Sequence, residues 1–357
     1  MTDKNNDDEQ IARINEHVLG FVSELKALKK NKEYEAIEEL AYDLIHRIKL
    51  NEQCFYRGCY IPHIPYFALA DIYAKQGKII EEIEILNDFL KFSTHNRIYA
   101  RSKEAITRAF KRTDDLNRYK KIGKFTATKK ERCLEWGIPF TEKEIELNSK
   151  EPEKSFLKYL ASKGILGIHE GGITKTCLDI LFMKTTEKYY IENDFFDPAS
   201  FGFTSYFRSE PTDLYTCGLN LPLEYRQESL STISTVTRKE FKKFLKKTLA
   251  YWKRQTQNGN VFFDIELNLG ITWADYELFS LAIFDDLGVE FFKELANLHI
   301  SEPMSHVGWP DIELINNGKL ELVEIKVKDN FTLTQIYTFP KLHKLLPDRI
   351  SVVNLKS

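Results

Sequence analysis

What this chain lacks most visibly is an excess of charge of either sign. Its 51 Lys and Arg oppose 53 Asp and Glu, a formal net charge of -2 over 357 residues. Any polyanion it binds must therefore meet a local basic patch and not a global field. Cysteine is scarce as well, five in all. Cys133, Cys177 and Cys217 stand far apart, which argues against a disulfide framework and for a reducing compartment. Cys54, Cys59 and His63 lie closer together, but no fourth ligand follows at zinc spacing, so they read as free thiols in a helical region. No apolar run approaches the roughly 20 residues of a membrane span. The stretch MTDKNNDDEQ is acidic and polar, unlike a signal or transit peptide. The expected location is cytoplasmic, nucleoid-associated in a bacterium and nuclear in a eukaryote, with no membrane partner. A Gly-x-x-x-x-Gly-Lys-Ser/Thr phosphate loop and a Gly-x-Ser-x-Gly elbow are both missing, which speaks against a fused motor and against Ser-His-Asp chemistry.

What is present is ordinary globular material, 43% hydrophobic and 29% charged, long enough for two or three domains. Residues 1–130 read as helical. In EYEAIEELAYDLIHRI the spacing sets Tyr34, Ile37, Leu40 and Leu44 on one stripe. Further on, Tyr66, Leu69, Ala70 and Tyr73, then Gly77, resemble the first half of a tetratricopeptide repeat. The return helix departs from that pattern, with bulky Glu82 or Ile83 where a small residue is expected. One or two imperfect repeats, or a plain helical bundle, both fit; either is a candidate surface for a protein partner. Residues 131–300 read as a second, mostly helical region, and 301–357 as a third. The fold class expected is α+β.

Two basic stretches stand out. Residues 101–130 are rich in Lys and Arg. The helix RKEFKKFLKKTLAYWKRQTQ buries Phe241, Phe244, Leu245, Leu249 and Trp252 on one side. Arg238, Lys239, Lys242, Lys243, Lys246, Lys247, Lys253 and Arg254 lie on the other, with Glu240 the only acid. Such a face either grips phosphates, releasing their counterions, or is simply solvated.

The most specific segment is HVGWPDIELINNGKLELVEIKVKDN, residues 306–330. Asn317-Gly318 between two alternating runs predicts a hairpin. Glu324 and Lys326, two apart, share one face of the second strand, and antiparallel pairing brings Asp311 beside them. Two carboxylates and an ammonium then converge. Carboxylates in that arrangement suit a hard divalent cation such as Mg²⁺ or Mn²⁺. The lysine can orient or deprotonate a water, or stabilise charge developing on phosphorus. An exposed ion pair on a hairpin is the plain alternative.

This Pro-Asp then Glu-x-Lys arrangement resembles the PD-(D/E)xK superfamily of restriction-endonuclease-like nucleases, and the wider string GWPDIELI to LVEIKVKDNFTLTQ resembles its VRR-NUC branch. The matching positions are Gly308, Pro310, Asp311, Glu324, Lys326, Asp329 and Gln335. GIHEGGITKTCLDILF and YFRSEPTDLYT resemble segments of Fanconi-associated nucleases, over about residues 150–357. The resemblance implies a mixed sheet flanked by helices, with a mostly helical insertion and a tetratricopeptide-like region before it. It implies a site in which Asp311, Glu324, the Ile325 carbonyl and Glu170 hold Mg²⁺ or Mn²⁺, with Lys326 and Gln335 beside them. Glu153 and Glu277 are the other choices for the upstream glutamate. The activity implied is cutting of branched or 5′-flapped DNA in repair. A silent DNA-gripping scaffold and a nuclease of foreign-DNA defence are the alternatives.

Overall fold

The computed structural model describes residues 2–50, 63–95, 101–148, 150–169, 172–192, 223–261, 264–302 and 307–356. The chain divides into two compact units, Met1–Thr126 and Ala127–Ser357. No helix among the described residues is long and apolar enough to cross a membrane.

The first unit is built of α1 (Thr2–Asn31), α2 (Tyr34–Leu50), α3 (His63–Gln76), α4 (Ile79–His95) and α5 (Ser102–Ile122). Each packs on the helix before it. In α2 the buried ridge is Ile37, Ala41, Leu44, Ile45 and Ile48. Leu40, expected on that stripe, is 38% exposed. The ridge follows the steps of three and four residues from Ile37, and Leu40 falls on its flank. Tyr66, Phe89 and Phe92 pack together in the core between α3 and α4. Glu82, at the unusually bulky position of the return helix, is fully buried. A buried carboxylate needs opposite charge, and two guanidiniums supply it: Arg108 Nε at 2.6 Å and Arg112 Nε at 2.9 Å. Cys54 and Cys59, read from the sequence as free thiols, lie outside the described residues.

The second unit is α+β. Its elements run α6 (Lys129–Trp136), β1 (Phe140–Glu144), α7 (Pro152–Ser162), β2 (Leu166–His169) and α8 (Ile173–Glu192). Then come α9 (Leu223–Ile233), α10 (Arg238–Gln257), α11 (Ile265–Leu269) and α12 (Trp273–Ser301). Last are β3 (Ile312–Asn316), β4 (Lys319–Lys326), α13 (Leu333–Leu345) and β5 (Ile350–Lys356). One five-stranded mixed sheet runs β1-β5-β4-β3-β2. β4 and β1 flank β5 in parallel, and β3 is antiparallel to both β4 and β2. The sheet thus takes two strands from residues 131–300 and three from 301–357.

Alternation along the strands gives the sheet two unlike faces. On one, Ile312, Leu314, Val323, Ile325, Val353 and Leu355 pack against Phe156 and Leu160 of α7. The other carries Glu324 and Lys326. Helices α8, α9, α10 and α12 pack on one another between β2 and β3 in the sequence, a helical insertion. Helix α12 is broken at Gly288. Just before the break, Asp286 accepts the Leu320 N–H at 2.8 Å and both terminal nitrogens of Arg349 at 2.9 and 3.2 Å. One carboxylate therefore ties the insertion to β4 and to the start of β5.

Asp286 keeps only 9% of its side-chain surface and Arg349 24%. Asp286→Ala leaves the guanidinium and the Leu320 N–H without that partner. It is expected to lower the unfolding free energy by about 2–4 kcal/mol in urea titration.

Candidate active site

The hairpin forms as its sequence dictates. Asn317 and Gly318 take φ of 51° and 76°, the two positive values of a tight turn whose twist matches the flanking strands. The turn fixes the register Asn316 to Lys319 and Ile312 to Val323. Asp311, one residue before β3, then lies beside Glu324. Its Oδ2 accepts the Ile325 N–H at 2.9 Å.

Glu324 is fully buried, and Lys326 is 3% exposed. Lys326 Nζ lies 2.7 Å from Glu324 Oε1, 2.9 Å from Asp329 Oδ2 and 3.2 Å from Gln335 Oε1. Its three protons thus have three acceptors. Gln335 serves two structures at once. It is the third residue of α13, where its Oε1 accepts the Thr332 N–H at 3.0 Å while its own N–H donates to Thr332 Oγ1, a capping box. Its Nε2 donates to Glu324 Oε1 at 2.6 Å. Helix capping and site geometry are one set of bonds. The start of α13 can come this close because residue 308 is glycine. A Cβ there would stand 2.5 Å from the Thr334 carbonyl carbon and 2.7 Å from Gln335 N, at a φ of +68°.

Burial raises the Asp311 carboxyl. Burial, with the Asp311 charge beside it, pushes Glu324 up to about 8, even with an ammonium in contact. Burial would lower Lys326, but Glu324 and Asp329 outweigh it and its pKa is raised. Two adjacent carboxyls that resist ionising together form a site short of positive charge. Glu324 Oε2 is buried and has no hydrogen-bond partner among the described residues. An orphaned carboxylate oxygen beside a second carboxyl fits a hard cation, which prefers oxygen ligands.

Among the described residues, no group of three or more His, Cys, Asp or Glu side chains converges as a metal cluster. Glu170 lies outside the described residues, as does the segment YFRSEPTDLYT. Of the other two glutamates, Glu153 in the first turn of α7 acts electrostatically on Asp311, as does His169. Glu277 instead stands 4.0 Å from Lys246 of α10.

Helix α10 buries Phe241, Leu245, Leu249 and Trp252 and exposes most of its basic side. Several of its cations are engaged. Arg238 pairs with Asp285 through two bonds of 2.6 and 2.7 Å. Lys253 lies over Trp273 and Arg254 over Tyr251. Glu240 is the capping-box residue of the helix and also binds Lys184. Lys239, Lys243 and Lys247 are exposed, and Lys242 is half-buried.

No family model matches the sequence, and no curated protein matches it. Among solved structures, one described as paFAN1 bound to 2nt 5′ flap DNA with gap is similar at a TM-score of 0.46 and 12% identity, covering 89% of this chain and 54% of that one. Another, paFAN1 bound to 1nt 5′ flap DNA with gap, gives 0.40 and 13%, covering 89% and 55%. The chain spans about half the length of those proteins.

Three residues near the site lie outside the motif positions. Lys129, the first residue of α6, donates to the Val327 carbonyl at 2.9 Å and to Asn354 Oδ1 at 2.8 Å. It ties the loop after Lys326 to β5. Cys133, one turn on, is buried and pushed up to about 12 by burial, with the Glu324 charge adding to it. Glu313 follows Asp311 by two residues, on the same face. It is buried, accepts the Thr174 N–H at 3.2 Å at the start of α8, and is pushed up to about 7 by burial. The alternation Asp-x-Glu is the one trace of it in the sequence.

Glu324 holds in the folded state a proton that the unfolded chain releases near 4.5. Folding stability in a chelator should therefore fall as pH rises from roughly 5 to roughly 8. Glu324→Gln should flatten that slope, read as urea midpoints across the window. Gly308→Ala should cost at least about 2 kcal/mol, from left-handed strain plus backbone overlap, read by thermal and urea unfolding.

Proposed function

We propose that this chain is a metal-dependent deoxyribonuclease that hydrolyses phosphodiester bonds in branched DNA, 5′ flaps among them, in DNA repair. The observation that carries the reading is the convergence of half-buried Asp311 with buried Glu324 and Lys326, with Glu324 Oε2 orphaned. Replacing such a buried pair by hydrophobic side chains is often neutral or stabilising, so stability alone gives little reason to keep these groups.

Asp311, Glu324, the Ile325 carbonyl and Glu170 are the residues proposed to hold Mg²⁺ or Mn²⁺, with Glu153 the alternative to Glu170. Such a cation supplies Lewis-acid polarisation of the scissile phosphate and a bound water of lowered pKa. The protein's own groups do the rest. Lys326, raised and held by three acceptors, stays an ammonium at neutral pH. That favours a fixed positive charge, which orients water and stabilises negative charge on phosphorus, over a general base. Gln335 and Asp329 fix where Nζ points. Gln335, through its bond to Glu324, also fixes that carboxylate. Lys239, Lys242, Lys243, Lys246, Lys247, Lys253 and Arg254 of α10 are proposed to contact backbone phosphates, which confers affinity without sequence preference.

Labelled 5′-flap, 3′-flap, fork, single-strand and duplex DNA test the reading, each incubated with Mn²⁺ or with EDTA. Wild type is expected to cut flapped substrates only with the metal. Asp311→Ala and Lys326→Ala should each lose about 100-fold or more in rate. DNA left intact in every lane, with binding retained, would instead establish a gripping scaffold.

A further inference from the structure

The last turn of α5 and the segment after it hold two aromatic rings out in water. Tyr119 and Phe125 stack on each other, with centroids 4.2 Å apart and planes within 2° of parallel. Tyr119 is 46% exposed and Phe125 38%, and Ile122 between them is 49% exposed. This pair is constructed. Gly123 caps α5 in the left-handed conformation, its N–H donating to the Tyr119 carbonyl. Arg118, itself buried, donates from Nε to the Thr126 carbonyl at 3.2 Å. Cap and guanidinium together fold residues 123–126 back over the helix, and that fold lays Phe125 on Tyr119.

Two features narrow what such a surface meets. Residues 116–126 contain four cations, Arg118, Lys120, Lys121 and Lys124, and no acid. Lys120, Lys121 and Lys124 are all exposed. An apolar protein partner would have to bury or displace three ammonium groups here. A polyanion with flat apolar faces fits both features together: bases stack on aromatic rings while backbone phosphates pair with lysines. A duplex hides its base faces and offers only phosphates, so the rings select unpaired strands.

We infer that Tyr119 and Phe125, with Lys120, Lys121 and Lys124, form a stacking platform for single-stranded DNA on the first unit. This goes beyond the nuclease reading and requires no cleavage.

The test uses the full chain in EDTA, with fluorescence anisotropy of a labelled oligothymidine of about 20 nucleotides and of a matched duplex. Tyr119→Ala and Phe125→Ala are each expected to weaken oligothymidine binding about 5- to 100-fold and to leave the duplex unchanged. Phe125→Leu, which keeps the apolar contact without the ring, should weaken it similarly. Lys120→Gln with Lys121→Gln should lower affinity for the oligothymidine and reduce its salt dependence by about one phosphate per lysine. Unchanged thermal unfolding of these exposed variants shows that the fold is intact. Oligothymidine affinity unaffected by either ring, or fully kept by Phe125→Leu, would overturn the platform. So would a wild-type dimer in sedimentation that Tyr119→Ala dissolves, since the occupant would then be a second copy. Because binding is read without metal, this result is independent of Asp311→Ala cleavage. An inactive enzyme can keep the platform, and an active one can lack it.

Discussion

A carboxyl and an ammonium buried side by side in the middle of a sheet set the terms for the second unit. Glu324 and Lys326 keep almost none of their surface in water. Burying such groups in ionised form costs several kcal/mol each, offset only by good geometry and by further hydrogen bonds to the remaining atoms. Almost every local feature of the hairpin and of α13 can be read as meeting that condition. The two-residue turn fixes register, register fixes which residues share a face, and the capping box of α13 delivers Gln335 to both ions. Asp329 takes the last proton of the ammonium. What is left unmet is one oxygen of the Glu324 carboxyl, the feature on which the proposed function rests.

The surroundings hold this arrangement from several directions. Asp286 clamps the hairpin's far end and the start of β5. Lys129 clamps the loop after Lys326. Thr338 of α13 donates to the Val307 carbonyl, fastening the approach to Gly308. The site therefore rests on strands and helix ends whose backbone has little freedom, and this is what precise placement of reacting groups needs. The first unit is organised differently. Its helices pack mainly on neighbours in sequence, and its deeply buried acids are matched by cations, Glu82 by Arg108 and Arg112 and Asp115 by Lys111.

Much of the hairpin was legible in the sequence because its signals are local. Asn-Gly, period-two alternation and the two-residue spacing of Glu324 and Lys326 leave little freedom. Helical stripes were legible to within a flank, as Leu40 illustrates: an apolar residue one step off the ridge reads the same as one on it. What escaped was non-local. Nothing near Lys129 points to Val327, 198 residues away. Nothing in FTEKE announces a strand that pairs with residues 352–356. That Glu153 acts electrostatically on Asp311 while Glu277 faces Lys246 depends on where α7 and α12 run, which the sequence does not print. The dual use of Gln335 was half visible, since a Thr-x-x-Gln capping box can be read, but its second bond cannot.

The strand order carries a consequence for how the protein is made. β5 lies inside the sheet, between β1 and β4, yet follows both in the chain. Phe140 must wait for Val352. At ribosomal speed that leaves β1 without a partner for a time on the order of tens of seconds, and β4 open on one side for about the last few of them. The first unit, whose contacts join mainly adjacent helices, has no wait of that length. The carboxylates and the lysine are then brought together late in synthesis, so a nascent or shortened chain carries the residues of the site without the site.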